Sequence, residues 1–278
     1  MRGAAGRGLD SCAVRIISLN AWGGAMFDDL APWLGTNGAD VLCLQEVTHT
    51  AALGGWTRFD DAERSLPQRA DLLDDVRTLL PRHHPVFTVS DAGPVRDHEG
   101  TVHRQDFGVA TFVGETFPLV ATRTALVHGE YSEHPDEWPP GDRPRAALAV
   151  RVLDRASGRF VTVVQLHGLR DAGGKGDTPA RRDQAKRLAD LVTDAREDGD
   201  LVVVCGDLNL LPDSETFEVL AGIGLTDLVR ESDTRTSRYL KPLRHASYLL
   251  VSDPSAVRRF EILAEPEVSD HRALMLEV

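Results

Sequence analysis

Five apolar, strand-like runs in this chain each end on a group able to bind a cation, carry a proton or donate to an oxyanion. Val202-Val203-Val204-Cys205-Gly206 leads to Asp207 and Asn209, two positions apart. Alternation along an extended backbone puts those two on one side, with Leu208 turned away. Ile16-Ile17-Ser18-Leu19 ends at Asn20, the run 41–45 at Glu46, and the run 161–166 at His167. Ser269-Asp270-His271 precedes the apolar Ala273-Leu274-Met275-Leu276. A short apolar run reads as a fully buried strand, and ligands of α/β sheets bind just beyond strand ends. One such end is commonplace, because Asp and Asn are also favoured turn residues. Five in the same relation point to a shared site.

The chemistry of that set is restricted. No Ser or Cys stands beside a histidine in a nucleophile-elbow context, so covalent acyl transfer is unsupported. Hard oxygen ligands with few imidazoles suit Mg²⁺, with Mn²⁺ as an alternative, better than Zn²⁺. Carboxylates can hold such a cation while leaving waters in place, and one can take a proton from an attacking water. Amides donate to oxyanions, and a protonated imidazole neutralises charge that builds up in a transition state. Together these groups match the hydrolysis of a phosphate ester.

The segments Ser18-Leu19-Asn20-Ala21-Trp22, Leu44-Gln45-Glu46-Val47, Gln165-Leu166-His167, Gly206-Asp207-Leu208-Asn209 and Ser269-Asp270-His271 resemble, in order, those of the endonuclease/exonuclease/phosphatase superfamily. Each motif is short; the ordered set spans nearly the whole chain. The resemblance implies an α/β (α+β) fold, a four-layer α/β sandwich of two packed mixed β-sheets flanked by helices, with metal-dependent phosphoesterase activity. It makes Glu46 the principal Mg²⁺ ligand, with Asn20 and Asp270 nearby. Asp207 would orient or deprotonate the attacking water, and Asn209 would hydrogen-bond the phosphoryl oxygens. His271 would stabilise the transition state or serve as base, and His167 would contact the phosphate or assist the leaving group. One position departs from the pattern. Similar proteins carry an aspartate immediately before the aromatic residue of the strand that orients the catalytic histidine, and here Ser247 precedes Tyr248. A serine bonds to imidazole without charge, so His271 would lose the ionic support that raises its pKa.

The elements that must carry these groups alternate along the chain. Strands are expected at 86–89, 106–113, 146–153, 160–166, 248–251, 260–263 and 273–276, with a hairpin through Ser157-Gly158. Helices are expected at 27–34, at 67–80 behind Pro67, from Thr178-Pro179, where Thr178 is the N-cap, and from Asp213 or Ser214 to 220. Arg181-Arg182 reads as a solvated helix face. Long loops at 91–106 and 129–144 are expected to set specificity. With 278 residues and no linker, repeat or low-complexity tract, one domain over 13–278 is expected. The Gly/Ala-rich segment 1–12 is expected to be flexible, and it lacks an apolar signal core.

Composition narrows the partners. Three cysteines, two inside apolar strands, fit buried thiols in a reducing, cytoplasmic compartment rather than a disulfide framework. No stretch approaches the ~18 apolar residues of a membrane helix. The net charge of -12 disfavours loose nucleic-acid binding, although a cation on clustered acids can supply the charge a phosphate needs. A small phosphorylated metabolite or phosphodiester is therefore the first-choice substrate, a nuclease role on DNA or RNA the second, and a phospholipid headgroup the third. A non-catalytic binding protein that kept the fold is the reading of a different class, motivated by Ser247. Arg170, Arg145 and Arg244 are expected to bind substrate from loops, with Arg143, Arg238, Lys241 and Lys175 as further cations. Gly173-Gly174-Lys175-Gly176 lacks the ending of a P-loop and reads as a flexible connection. His83-His84 diverge on an extended chain, His98, His103 and Arg104 read as surface groups, and Trp22 as packing beneath the site.

Overall fold

The computed structural model describes residues 13–278; the segment 1–12, expected to be flexible, lies outside the described residues. β1 (Arg15–Asn20) and β2 (Val41–His49) run parallel at the centre of one sheet, joined through α1 (Phe27–Leu34). β3 (Trp56–Asp60) and β4 (Ser65–Arg69) form a hairpin at its edge and lead into α2 (Leu72–Leu79). β5 (His83–Arg96) and β6 (Val102–Gly114) make a long hairpin, with β6 paired to β2. β7 (Leu119–His128) opens the second sheet, and the short β8 (Ser132–Glu133) adds to β5. β9 (Arg145–Leu153) and β10 (Phe160–His167) are an antiparallel pair. α3 (Pro179–Ala195) then crosses to β11 (Leu201–Asp207), parallel to β10. α4 (Glu215–Gly222), β12 (Thr226–Asp227) and β13 (Ser247–Val251) complete the second sheet. β14 (Arg259–Leu263) and β15 (Ala273–Glu277) return to the first, with β15 beside β1.

Alternation along the central strands builds the layers. Ile17, Leu19, Leu42 and Leu44 pack with Leu30 and Trp33 of α1 and Leu72 and Val76 of α2. Their neighbours Ile16, Val41 and Cys43 join the core shared with the second sheet, whose other face takes Leu188, Leu191 and Val192 of α3. Each fully buried Leu, Ile or Val contributes about 1.5–3 kcal/mol relative to exposure. Strands apolar on both faces are therefore stable only when both are covered. The result is the expected architecture: two mixed sheets packed together, with helices outside.

Near one end the interface between sheets is polar. Gln45 Nε2 donates to Gln165 Oε1 at 2.8 Å, and Gln165 Nε2 donates to the Ala110 carbonyl and Thr111 Oγ1 at 2.7 Å each. Buried amides are tolerated where they find partners. These two tie β2 to β10 immediately beside Glu46 and His167.

Four local expectations fail for identifiable reasons. The helix expected from Pro67 starts at Leu72, because the Asp71 side chain caps it by accepting from Asp74 N at 2.9 Å. Pro67 instead sits on edge strand β4, where its missing N–H costs no ladder bond. The loop expected at 91–106 is mostly strand, since β5 and β6 continue to a tight turn in which Asp97 Oδ1 accepts from Glu99 and Thr101 N–H. β7, largely exposed on one edge, carries too weak an apolar pattern to have been expected. Arg181 is not on a solvated face: it is 1% exposed.

Candidate active site

The site forms where β1, β2, β10 and β11 end side by side. Parallel register sets His167 of β10 opposite Asp207 of β11, and Asn20 of β1 opposite Gln45 of β2. β2 bulges between Gln45 and Val47, and Glu46 within the bulge has φ 55°. A bulge re-aims the side chain it carries, so Glu46 turns toward the ends of the neighbouring strands. Gly206, at φ 138°, is required by contact as well as conformation: a Cβ there would lie 2.1 Å from the Leu166 carbonyl oxygen. Asn209 and Trp22 also adopt left-handed backbone, at φ 55° and 51°. Three non-glycine residues in that region within one site represent strain held by the surrounding contacts.

Hydrogen bonds join the five segments. Asn20 Nδ2 donates to Glu46 Oε1 at 2.9 Å and to Asp207 Oδ2 at 3.0 Å. Asp207 Oδ1 accepts the Asn209 N–H at 3.0 Å, and His271 Nε2 lies 3.3 Å from Asp207 Oδ2. His167 Nε2 stands 3.7 Å from Glu46 and 3.8 Å from Asp207. Ser269 Oγ donates to the Asn20 carbonyl at 2.6 Å and accepts the His271 N–H, which fastens the C-terminal motif to β1. Arg235 Nη1 donates to Asp270 Oδ2 at 2.6 Å, and the Arg235 backbone bridges that of His271.

The charges settle unequally. Burial pushes Asp207 upward, but electrostatic attraction to the imidazole of His271 and to the permanent cation of Arg235 holds it well below the usual carboxylate range. Burial lifts Asp270 to about 7 against the pull of Arg235. Burial, reinforced by Arg145, lowers His167 to about 4, and burial with Arg235 carries His271 well below the usual imidazole value. Both histidines are thus neutral at pH 7. Ser247 Oγ is 2.9 Å from His271 Nδ1. A hydroxyl can serve that nitrogen as donor or acceptor, while ionised Asp207 beside Nε2 favours the proton there. The favoured state of His271 is neutral, with Nε2–H toward Asp207 and Nδ1 accepting from Ser247.

These groups line a cavity of about 510 Å³ together with aromatic and basic side chains. Trp22 faces this cavity rather than packing wholly beneath it. The irregular segment 129–144 forms one wall: Trp138 is buried against Phe59, and Arg143 holds buried Asp91 through two bonds of 2.7 and 2.8 Å. Arg145 and Arg170 line the cavity; Arg145 does so from the start of β9 rather than from a loop, and Arg170 is also tied to Glu63 and the Pro140 carbonyl. Arg244 does not line it. It pairs with Asp233 and donates to the carbonyls of Arg235, Thr236 and Tyr239, so it braces the loop beneath Arg235. Lys175 reaches the cavity while donating to the His245 carbonyl, and burial lowers it to about 8. Arg235 was missed from sequence: it ends no apolar run, and its partner Asp270 lies 35 residues away.

Glu46, His167 and Asp207 each offer a ligand atom, all within 4.8 Å of one another. Two hard carboxylates and a neutral imidazole with a free nitrogen fit a divalent cation such as Mg²⁺ or Mn²⁺. The Asn20 amide is placed differently from the expected ligand. Its oxygen accepts the Trp22 N–H at 2.9 Å while its nitrogen bridges Glu46 and Asp207, so it braces the acids. Asp270, bonded to Arg235, lies outside the group of three.

A family model described as "Endonuclease/Exonuclease/phosphatase family" matches residues 17–271. No curated protein sequence matches the chain. Among solved structures, an endonuclease/exonuclease/phosphatase from Beutenbergia cavernae superposes with TM-score 0.65 at 18% identity, covering 95% of this chain and 71% of that one. A mannosyl-6-phosphatase from Bacteroides thetaiotaomicron gives 0.64 at 15% identity, covering 95% and 99%. D. rerio TDP2 complexed with single-strand DNA product gives 0.60 at 14% identity, covering 95% and 98%. At these identities the likeness is one of fold.

Proposed function

The chain belongs to the endonuclease/exonuclease/phosphatase family, whose members hydrolyse phosphoesters, and from that premise we propose that it is a metal-dependent hydrolase of a small phosphorylated metabolite. The observation that carries this reading is the clustering of Glu46, His167 and Asp207, with Asn20 bridging the two acids. The size of the cavity, about 510 Å³, favours a small molecule, since small-ligand sites run from about 300 to 1,000 Å³. The overall charge of -12 argues against a polyanion. The mannosyl-6-phosphatase with this fold is consistent with that preference.

In this reading Glu46 is the principal cation ligand, and Asp207 and His167 complete the group. A bound Mg²⁺ or Mn²⁺ supplies charge neutralisation on the phosphoryl oxygens and a lowered pKa for coordinated water. Asp207, ionised throughout the neutral range, accepts hydrogen bonds from the attacking water and aligns it. Its acidity makes it a better orienting group than proton acceptor. Asn209 donates its amide to a phosphoryl oxygen. His271 offers Nε2–H to the charge that develops on the phosphoryl group. Asn20 holds Glu46 and Asp207 at fixed separation, and Arg235 keeps Asp270 from competing for the same proton donors.

Release of nitrophenol from 4-nitrophenyl phosphate and bis(4-nitrophenyl) phosphate tests the reaction. Hydrolysis should require Mg²⁺ or Mn²⁺, stop with chelator, and fall by at least about a hundredfold in Glu46→Gln and Asp207→Asn. Release unaffected by chelator, or retained in Glu46→Gln, would sink the proposal. No release in any condition would favour the binding-protein reading. A panel of sugar phosphates set against single-stranded DNA decides the substrate class, and preferential cleavage of DNA would replace the metabolite with nucleic acid.

A further inference from the structure

The cations lining the cavity are engaged, apart from exposed Lys241 and one buried group. Arg64 pairs with Asp61, Arg143 with Asp91, Arg170 with Glu63 and Arg235 with Asp270. Arg181 and Lys175 donate to backbone carbonyls. Arg145 is 3% exposed, yet its guanidinium makes no hydrogen bond or ion pair with any described residue, and its Nε is fully enclosed. Burial, with like-charged Arg143 alongside, lowers it to about 10, so it stays cationic at neutral pH. A desolvated guanidinium without a hydrogen-bonded counter-charge is costly to keep. His167 Nδ1, on the next strand, is likewise enclosed without a protein partner.

Register sets the backbone of this residue to one side of the acids, while its charge reaches His167 in the shared cavity. Ala147 of β9 pairs with Leu166 of β10, and His167 pairs with Asp207 of β11. Arg145 therefore begins a strand two removed from Asp207, about 10 Å across the hydrogen-bonding direction. No ion pair links it to Asp91, Glu46 or Asp207, although all three act on it electrostatically, Asp91 most. The five donors of a guanidinium suit a planar carboxylate or a phosphate. We propose that Arg145 is the centre of a second anion subsite, so that the substrate carries a second negatively charged group, phosphate or carboxylate, beside the one hydrolysed. The inference deepens the phosphoesterase reading and rests on it for the identity of the first group.

Calorimetric titration of the protein in saturating Mg²⁺ with three uncleavable probes tests it without reference to turnover. Methylphosphonate carries one anionic head, phosphonoacetate adds a carboxylate, and methylenediphosphonate adds a second phosphonate. At least one doubly anionic probe should bind about tenfold or more tightly than methylphosphonate, and which one does so names the second group. In Arg145→Gln the affinity ratio should collapse to within about threefold, whatever happens to either affinity alone. Arg145→Lys, which keeps charge without the planar fork, should give an intermediate ratio. Equal binding by the native protein, or a preference that survives Arg145→Gln, overturns the proposal. Absence of nitrophenyl ester hydrolysis would count against the phosphoesterase reading instead, and would leave the binding ratio to stand by itself.

Discussion

His271 is held by two residues that ask opposite things of it. Asp207, 3.3 Å from Nε2, favours a proton on that nitrogen, whereas Ser247, 2.9 Å from Nδ1, adds no charge that would favour a second. Burial then keeps the ring neutral at pH 7. A carboxylate at position 247 would accept from Nδ1–H and stabilise the imidazolium. Ser247→Asp should therefore raise the His271 titration midpoint by about one to three units, read by NMR of the ring. With a cation facing the phosphoryl group, turnover of a nitrophenyl ester near pH 7 should rise several-fold. An upward midpoint with unchanged or lower turnover would show that neutral His271 is the working form. Asn20, Glu46, His167 and Asp207 were legible because each closes an apolar run, and His271 because it stands just before one, so type and position coincide. Arg235 and Asp91 were not: each is defined by a partner, 35 and 52 residues distant, and nothing local marks it.

The same contrast appears between neighbours on α3. Arg182 pairs at the surface with Glu215, while Arg181 turns inward and donates to the carbonyls of Leu169, Gly174 and Asn209. α3 thus anchors the loop that carries Lys175 and fixes the backbone of Asn209. Arg181→Met should leave those carbonyls unpaired and cost about 2–3 kcal/mol in denaturant unfolding, with a rise in KM. Arg182→Met should stay within about 0.5 kcal/mol, as surface pairs do. Equal effects would mean that the inward bonds carry no weight. Apolar spacing on α3 was readable, but one arginine among several cannot be assigned to the interior before the carbonyls it serves are in place. β5 and β6 were underestimated in length for a related reason: Gly93, Pro94 and the turn at 97–101 look like loop residues until the partner strand pairs them.

Across the whole molecule, charge and topology pull in different directions. The chain is acidic, yet basic side chains gather in one cavity, where they face a cluster of acids at the strand ends. That layout admits small anions to a local positive field while the exterior remains unattractive to a polyanion. The two sheets contribute unequally and neither suffices. Asn20 and Glu46 stand on the first, His167 and Asp207 on the second, and His271 enters from the segment before β15. The buried pair Gln45 and Gln165 links the halves by a hydrogen bond beside the site, over the apolar core they share. A site shared in this way is complete only once the two sheets have docked, which predicts that it forms after the sheets themselves. After dilution from denaturant, far-UV circular dichroism should recover before activity, and Gln165→Leu should widen the interval. Coincident recovery of the two signals would mean that docking of the sheets is no later than their formation.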